Sequence, residues 1–145
     1  MTSDGLAGFD VVHRLDPAQR AQLLALYDGE WWSAGRTLQD VERMLQGPSV
    51  IVGLVEPSSA ELVGFVRSLS DGAFHAWVYD VIVKPSHRGR GLGRALLDRI
   101  VGHPALINVR RISLSCRPDM IAFYQRWQFQ PFPEDSEPRL VRVRQ

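Results

Sequence analysis

The segment Arg88-Gly89-Arg90-Gly91-Leu92-Gly93-Arg94 packs three glycines and three arginines into seven residues, between an apolar run and an amphipathic one. Glycines remove side chains and let an anion approach the main chain. A helix that opens at such a turn offers backbone N–H groups without intrahelical partners and the positive end of its dipole. Arg88, Arg90 and Arg94 can add charge-assisted hydrogen bonds. The backbone from Gly89 through Leu92 to Arg94 therefore reads as a pyrophosphate cradle. The competing reading is a tight strand-to-helix turn and nothing more. Spacing excludes two familiar cradles: a dinucleotide fingerprint needs glycine where Arg94 stands, and a nucleotide P-loop needs a Gly-Lys-Ser/Thr ending.

Several other residues have the chemistry for a reaction. Asp80 interrupts the apolar run Trp77-Val78-Tyr79-Asp80-Val81-Ile82-Val83. Desolvated there, its carboxylate can act as a base, directly or through water; alternatively it is solvated, or paired with an arginine. Glu30 is the rival base. It belongs to Asp28-Gly29-Glu30-Trp31-Trp32-Ser33-Ala34-Gly35-Arg36, whose adjacent tryptophans and acidic neighbour suit a cation or an aromatic amine. Equally, one tryptophan covers the core and Arg36 pairs with Glu30. Arg67, within an apolar strand, can meet a substrate carboxylate or form a structural ion pair. Cys116, the lone cysteine, reads as a small buried hydrophobe more readily than as a nucleophile. His13, His75, His87 and His103 lack metal-ligand spacing, and no metal is expected.

The elements that must hold these residues follow from local signals. Phe9 to His13 reads as a first strand. Asp16-Pro17 is a helix N-cap followed by proline at the first helical position, and Leu23, Leu24, Leu26 and Tyr27 form the apolar face. Thr37-Leu38-Gln39-Asp40 resembles a capping box for a second helix, which Gly47-Pro48 stops. Strands are predicted over Val50–Val55, Leu62–Leu69 and Phe74–Val83, joined by Glu56-Pro57-Ser58-Ser59 and Ser70-Asp71-Gly72. A third helix runs through Leu92, Ala95, Leu96, Ile100 and Val101. Then come a strand over Arg111–Cys116, a helix over Met120–Trp127, a loop over Pro131–Pro138 and a closing strand over Arg139–Val143. The order is βααβββαβαβ. It implies an α/β (α+β) fold with a mixed, mostly antiparallel central sheet flanked by about four helices.

The 145 residues suit one domain, 1–145, without an evident boundary. With 45% hydrophobic and 23% charged residues the composition is that of a soluble globular protein. A net charge of +1 gives no reason to expect nucleic acid as a partner. No apolar run approaches the roughly 20 residues of a membrane span, and Met1-Thr2-Ser3-Asp4-Gly5 is unlike a secretion signal. A single cysteine suits a reducing cytoplasm. Lys84 is the only lysine, a chain-wide bias toward arginine that reflects genome composition better than function.

Three features in order, Val83-x-Pro85, Arg88-x-x-Gly91-x-Gly93 and the later Phe123-Tyr124, resemble the GNAT superfamily of acetyl-CoA-dependent N-acetyltransferases. The resemblance covers most of the chain and is strongest from Phe65 to Phe129. It implies that the glycine-rich turn binds the coenzyme pyrophosphate. The main chain of Val81, Ile82 and Val83 would pair with the pantetheine arm, where the fourth and fifth strands splay apart. The first two helices and their connection would face the acceptor. Tyr124 aligns with the tyrosine that many members place beside the coenzyme sulfur, where a phenol can protonate the departing thiolate; otherwise it is a core aromatic with Phe123 and Trp127. Two positions depart from the family. Cys116-Arg117-Pro118-Asp119 replaces a stretch that often carries asparagine, leaving Arg117 to reach a phosphate instead. Gln128 stands before Phe129 where glycine is common.

The implied reaction is direct attack of a small primary amine on acetyl-CoA, as cosubstrate, in a ternary complex. The alternatives are acetylation of a protein lysine or N-terminus, and a non-catalytic acyl-CoA sensor. Members of the family often form homodimers, and the same is allowed here.

Overall fold

The computed structural model describes residues 8–133 and 137–144. The chain forms two compact units, Met1–Ser115 and Cys116–Gln145. Met1–Gly5, and part of the Pro131–Pro138 loop, lie outside the described residues.

The first unit contains β1 (Asp10–Val12), α1 (Pro17–Asp28), α2 (Leu38–Gln46), β2 (Val50–Val55), β3 (Leu62–Ser70), β4 (His75–Val83), α3 (Leu92–Val101) and β5 (Arg111–Ser113). Both early helices start as their sequences dictate. The Asp16 carboxylate accepts from the Gln19 N–H, and the Gln19 side chain accepts from the Asp16 N–H, a closed capping box. Thr37 and Asp40 make the same reciprocal pair for α2. At the β3–β4 turn the Asp71 carboxylate accepts from the N–H groups of Ala73, Phe74 and His75.

The five strands form one sheet in the order β1-β2-β3-β4-β5, antiparallel except for the parallel β4–β5 pair. Both faces of the central strands are buried, which explains the near-continuous apolar runs of β2 and β3. One face carries Ile51, Val55, Leu62, Phe65 and Ile82 against Leu23, Leu26, Tyr27 and Val41 of the first two helices. On the opposite face, Leu96 of α3 approaches the backbone of Gly64. Gly53 sits where β1 and β2 crowd: a Cβ there would meet Val12 Cγ2 at 2.9 Å and Leu62 Cδ1 at 3.1 Å. Because Val12 is β-branched and stiff, Gly53→Ala is expected to destabilise by about 1–3 kcal/mol, read as a lower urea midpoint with an unchanged slope.

The second unit is helical at its start: a 3₁₀ turn (Pro118–Met120), α4 (Ile121–Tyr124) and a second 3₁₀ turn (Gln125–Trp127). The predicted continuous helix over Met120–Trp127 is thus a short α-helical core between tighter turns. Gln128 adopts a left-handed φ of 68°, doing with a non-glycine residue what glycine does elsewhere. Two strand expectations need correction. The strand beginning at Arg111 ends at Ser113 rather than Cys116. The closing strand over Arg139–Val143 does not form: Leu140, Val141 and Val143 are exposed and no strand includes them. Alternation creates a strand only where an edge supplies hydrogen bonds and a face supplies burial.

Among the described residues, no helix is long and apolar enough to cross a membrane, and no group of three or more metal-ligating side chains occurs.

Candidate active site

The glycine-rich segment forms the turn into α3. Gly89 and Gly91 have φ of 78° and 79°, in the left-handed region that costs other residues strain. A Cβ on either would meet nothing within 4 Å. Backbone conformation, and not crowding, is what demands glycine here, and the space above the turn is open. Gly91 is the N-cap of α3 and has no side chain to cap it. Helices α1 and α2 each close their first turn with a full capping box; α3 leaves its first N–H groups, at Leu92, Gly93 and Arg94, to whatever occupies the turn. Arg90 lies over the Phe9 ring at 5.4 Å.

Arg88 spans two parts of the unit. Its Nε donates to the Val83 carbonyl at 3.0 Å and its Nη2 to Glu30 Oε1 at 2.8 Å. Glu30 is therefore tied to the glycine-rich turn and not to Arg36. Beside the turn, His87 is buried between Ser86, through Nδ1, and Glu56, through Nε2.

The β4–β5 ladder pairs His75 with Arg111, Ala76 with Ile112 and Trp77 with Ser113, and ends there. The nine residues of β4 continue to Val83, so Val81, Ile82 and Val83 lie beyond the paired register on that side. The strands part where the turn's approach begins.

Asp80 occupies a bulge. Arg67 pairs with Tyr79 and Phe65 with Ile82, so one residue of β3, Val66, faces two of β4, Asp80 and Val81. Asp80 is at φ 59°, a left-handed conformation that aspartate tolerates better than most. Regular alternation from Tyr79 would send Asp80 to the α3 face. The bulge turns it toward α1 and α2, where its Oδ2 accepts from Arg67 Nε at 2.6 Å, Tyr27 Oη at 2.8 Å and Arg36 Nη1 at 3.2 Å. The Asp80 side chain is 5% exposed and that of Arg67 13%. Burial, and then the Asp80 charge, raise the Tyr27 pKa above the ordinary phenol value, so its hydroxyl remains a donor. All three donors share Oδ2, and Oδ1 accepts from none of them.

The connection between α1 and α2 completes this corner. Ser33 is buried and donates to the Tyr27 carbonyl at 2.8 Å. The Arg36 guanidinium lies 4.3 Å from the Tyr27 ring centre and 5.7 Å from that of Trp32. Trp32 packs edge-on against Tyr27, while Trp31 is 77% exposed and contributes no such wall. A pocket of about 290 Å³ opens here, lined by Tyr27, Arg36, Asp40, Val41, Met44 and Arg67.

The structure thus gathers Arg36, Arg67 and Asp80 at one point and ties Glu30 to Arg88 at another. Tyr27 was readable only as part of a helical apolar face; its register opposite the bulge is what gives it a polar partner. Asp40 and Met44 of α2 also line the pocket, which no short motif signals.

In the second unit, Tyr124 is buried, with Phe123 and Phe129 edge-on to its ring. Burial, with a smaller contribution from Cys116, pushes its phenol up to about 12. Arg117 is exposed and pairs with Asp119 at 3.4 Å. Cys116 is exposed, contrary to the expectation of a buried hydrophobe, because the strand ends before it.

Known proteins resemble this chain in sequence and fold. The family described as Acetyltransferase (GNAT) family matches residues 17–129. The uncharacterized N-acetyltransferase ycf52 of Porphyra purpurea is 33% identical over 115 residues, 78% of this chain and 66% of that protein. Serotonin N-acetyltransferase 2 of rice (Oryza sativa subsp. japonica) is 39% identical over 77 residues, 53% of this chain and 38% of the rice protein. This chain spans two thirds or less of those relatives' own length. A crystal structure of a GNAT-family protein from Xanthomonas campestris pv. campestris is 33% identical, covers 92% of this chain and 93% of its own, and superposes with a TM-score of 0.76. A match across the bulged strand, the uncapped glycine turn and the helices on either side places the chain in the acetyltransferase (GNAT) family.

Proposed function

We propose that the protein transfers an acetyl group from acetyl-CoA to a primary amine of a small molecule, by direct attack in a ternary complex. The observation that carries this reading is the open start of α3: two left-handed glycines and a first turn with no side-chain cap, in a chain whose other early helices are fully capped. The backbone N–H groups there, with Arg88, Arg90 and Arg94, suit a pyrophosphate. The unpaired side of Val81–Val83 gives a pantetheine amide main-chain partners of the kind a fifth strand would otherwise supply. The name of the rice relative supports a small amine as acceptor.

Asp80 receives the amine at Oδ1, since Oδ2 is taken by three donors. It accepts the proton that the nitrogen must lose before it can attack the thioester carbon. By its likeness to the tyrosine of the family, Tyr124 is assigned the proton that the departing sulfur takes up as the C–S bond breaks. A phenol held near 12 is fully protonated at neutral pH, as an acid must be. Tyr27 and Arg36 line the acceptor pocket, Trp32 packs against Tyr27, and the Glu30–Arg88 pair joins the connection between α1 and α2 to the coenzyme turn.

The test is thermal unfolding with acetyl-CoA, CoA or ATP. Either coenzyme form at a hundred times its dissociation constant should stabilise by about 2.7 kcal/mol, and ATP should not. Tyr124→Phe should keep that stabilisation while losing turnover on amines by roughly 10²-fold or more. No stabilisation by either coenzyme form would remove the proposal; an unchanged rate in Tyr124→Phe would remove the acid.

A further inference from the structure

The pocket beside Asp80 carries an unusual charge set for a site that accepts an amine. If only an ammonium or neutral amine entered, carboxylates would suffice. Instead two guanidiniums line it, Arg36 and Arg67. Each spends one N–H group on Asp80, and a guanidinium has five. Arg67 is fixed from beneath by the Tyr79 ring at 4.8 Å, and Arg36 by Tyr27 at 4.3 Å. Their planes are therefore held while further donors remain. Of the carboxylates, Asp40 lines the pocket and Asp80 pairs with both lining arginines. Asp40 is committed to the α2 cap, where it accepts from the Thr37 N–H, and Asp80 keeps Oδ1. Two guanidiniums and the Asp40 carboxylate line about 290 Å³, with Val41 and Met44 as apolar wall and Asp80 paired to both arginines; that set suits a small molecule that bears both signs.

We infer that the acceptor is an amino-carboxylate: its carboxylate is held by Arg36 and Arg67 while its amine faces Asp80. This rests on the acetyl transfer proposed above and narrows its substrate class. Planar bidentate recognition of a carboxylate is what arginine does and lysine does poorly. Arg36 is the more accessible of the two, with a side chain 31% exposed, and it makes the weaker contact with Asp80. It is the one free to turn toward a ligand without leaving the buried carboxylate unpaired.

Matched pairs that differ only in the carboxylate provide the test: tryptophan against tryptamine, tyrosine against tyramine, histidine against histamine. Acetylation is followed by mass spectrometry, and binding of the corresponding N-acetyl products by thermal shift with CoA present. The carboxylate-bearing member should be preferred by about tenfold or more in kcat/KM or in affinity. Arg36→Gln, which retains length and polarity and leaves the Arg67–Asp80 pair intact, should erase most of that preference. Equal or reversed preference within the pairs overturns the inference, as does a preference that Arg36→Gln leaves untouched. If CoA stabilises the protein and no member of any pair binds or reacts, the substrate class is wrong and the coenzyme reading stands. If CoA itself fails to stabilise, the failure belongs to the acetyl-transfer reading.

Discussion

Asp80→Asn should lower the unfolding free energy by about 3 kcal/mol or more, because it leaves two partly desolvated guanidiniums without their counter-charge. Asparagine tolerates the left-handed backbone at φ 59°, so the substitution isolates the charge from the conformation. Asp80→Ala should cost roughly 1 kcal/mol more, because alanine lacks the short polar side chain through which asparagine tolerates the left-handed region. Urea denaturation of both variants separates the two contributions. The amine would also lose its proton acceptor, and kcat/KM should fall by about 10²-fold or more in the asparagine variant. A stability loss under about 1 kcal/mol would mean the cluster behaves like a solvent-screened surface pair, against its 5% exposure of Asp80.

Gly91→Val should have the largest effect on coenzyme binding. At φ 79° a β-branched residue is a genuine outlier, costing roughly 1–2 kcal/mol before any ligand is considered. Its side chain would also stand in the space that is empty above the start of α3. The stabilisation of about 2.7 kcal/mol expected at a hundred times the dissociation constant should shrink to near nothing at the same acetyl-CoA concentration. Measuring the unliganded melting temperature alongside distinguishes a weakened fold from a blocked cradle. Full retention of the acetyl-CoA shift in Gly91→Val would show that the anion does not sit over this helix start.

What the sequence made legible was what is encoded locally. The Asp16 N-cap of α1, the capping box of α2, the limits of α3 from Leu92 to Val101 and the span of β2 follow from residues in contact with their neighbours along the chain. The glycine turn was legible for the same reason. The Asp80 cluster was not, although its oddity was: a carboxylate in an apolar strand announced a special position, but its partners Tyr27, Arg36 and Arg67 come from three other segments. Arg36 was read against Glu30 of the same connecting segment, which instead reaches across 58 residues to Arg88. The closing strand failed for the opposite reason. Arg139–Val143 has the right pattern, and pattern alone cannot supply the hydrogen-bonding edge it would need.

The bulge at Asp80 and Val81 has a meaning for sequence comparison. Val66 is all that β3 places opposite those two residues, so β4 is one residue longer than its partner requires. Remove one and Tyr79 and Ile82 would still face Arg67 and Phe65; the apolar phase on both sides would survive. The carboxylate is therefore carried by what amounts to an inserted position, separable from the frame of the strand. A relative lacking the residue would keep the sheet and lose the site, and an alignment that forbids a gap in β4 would hide that difference.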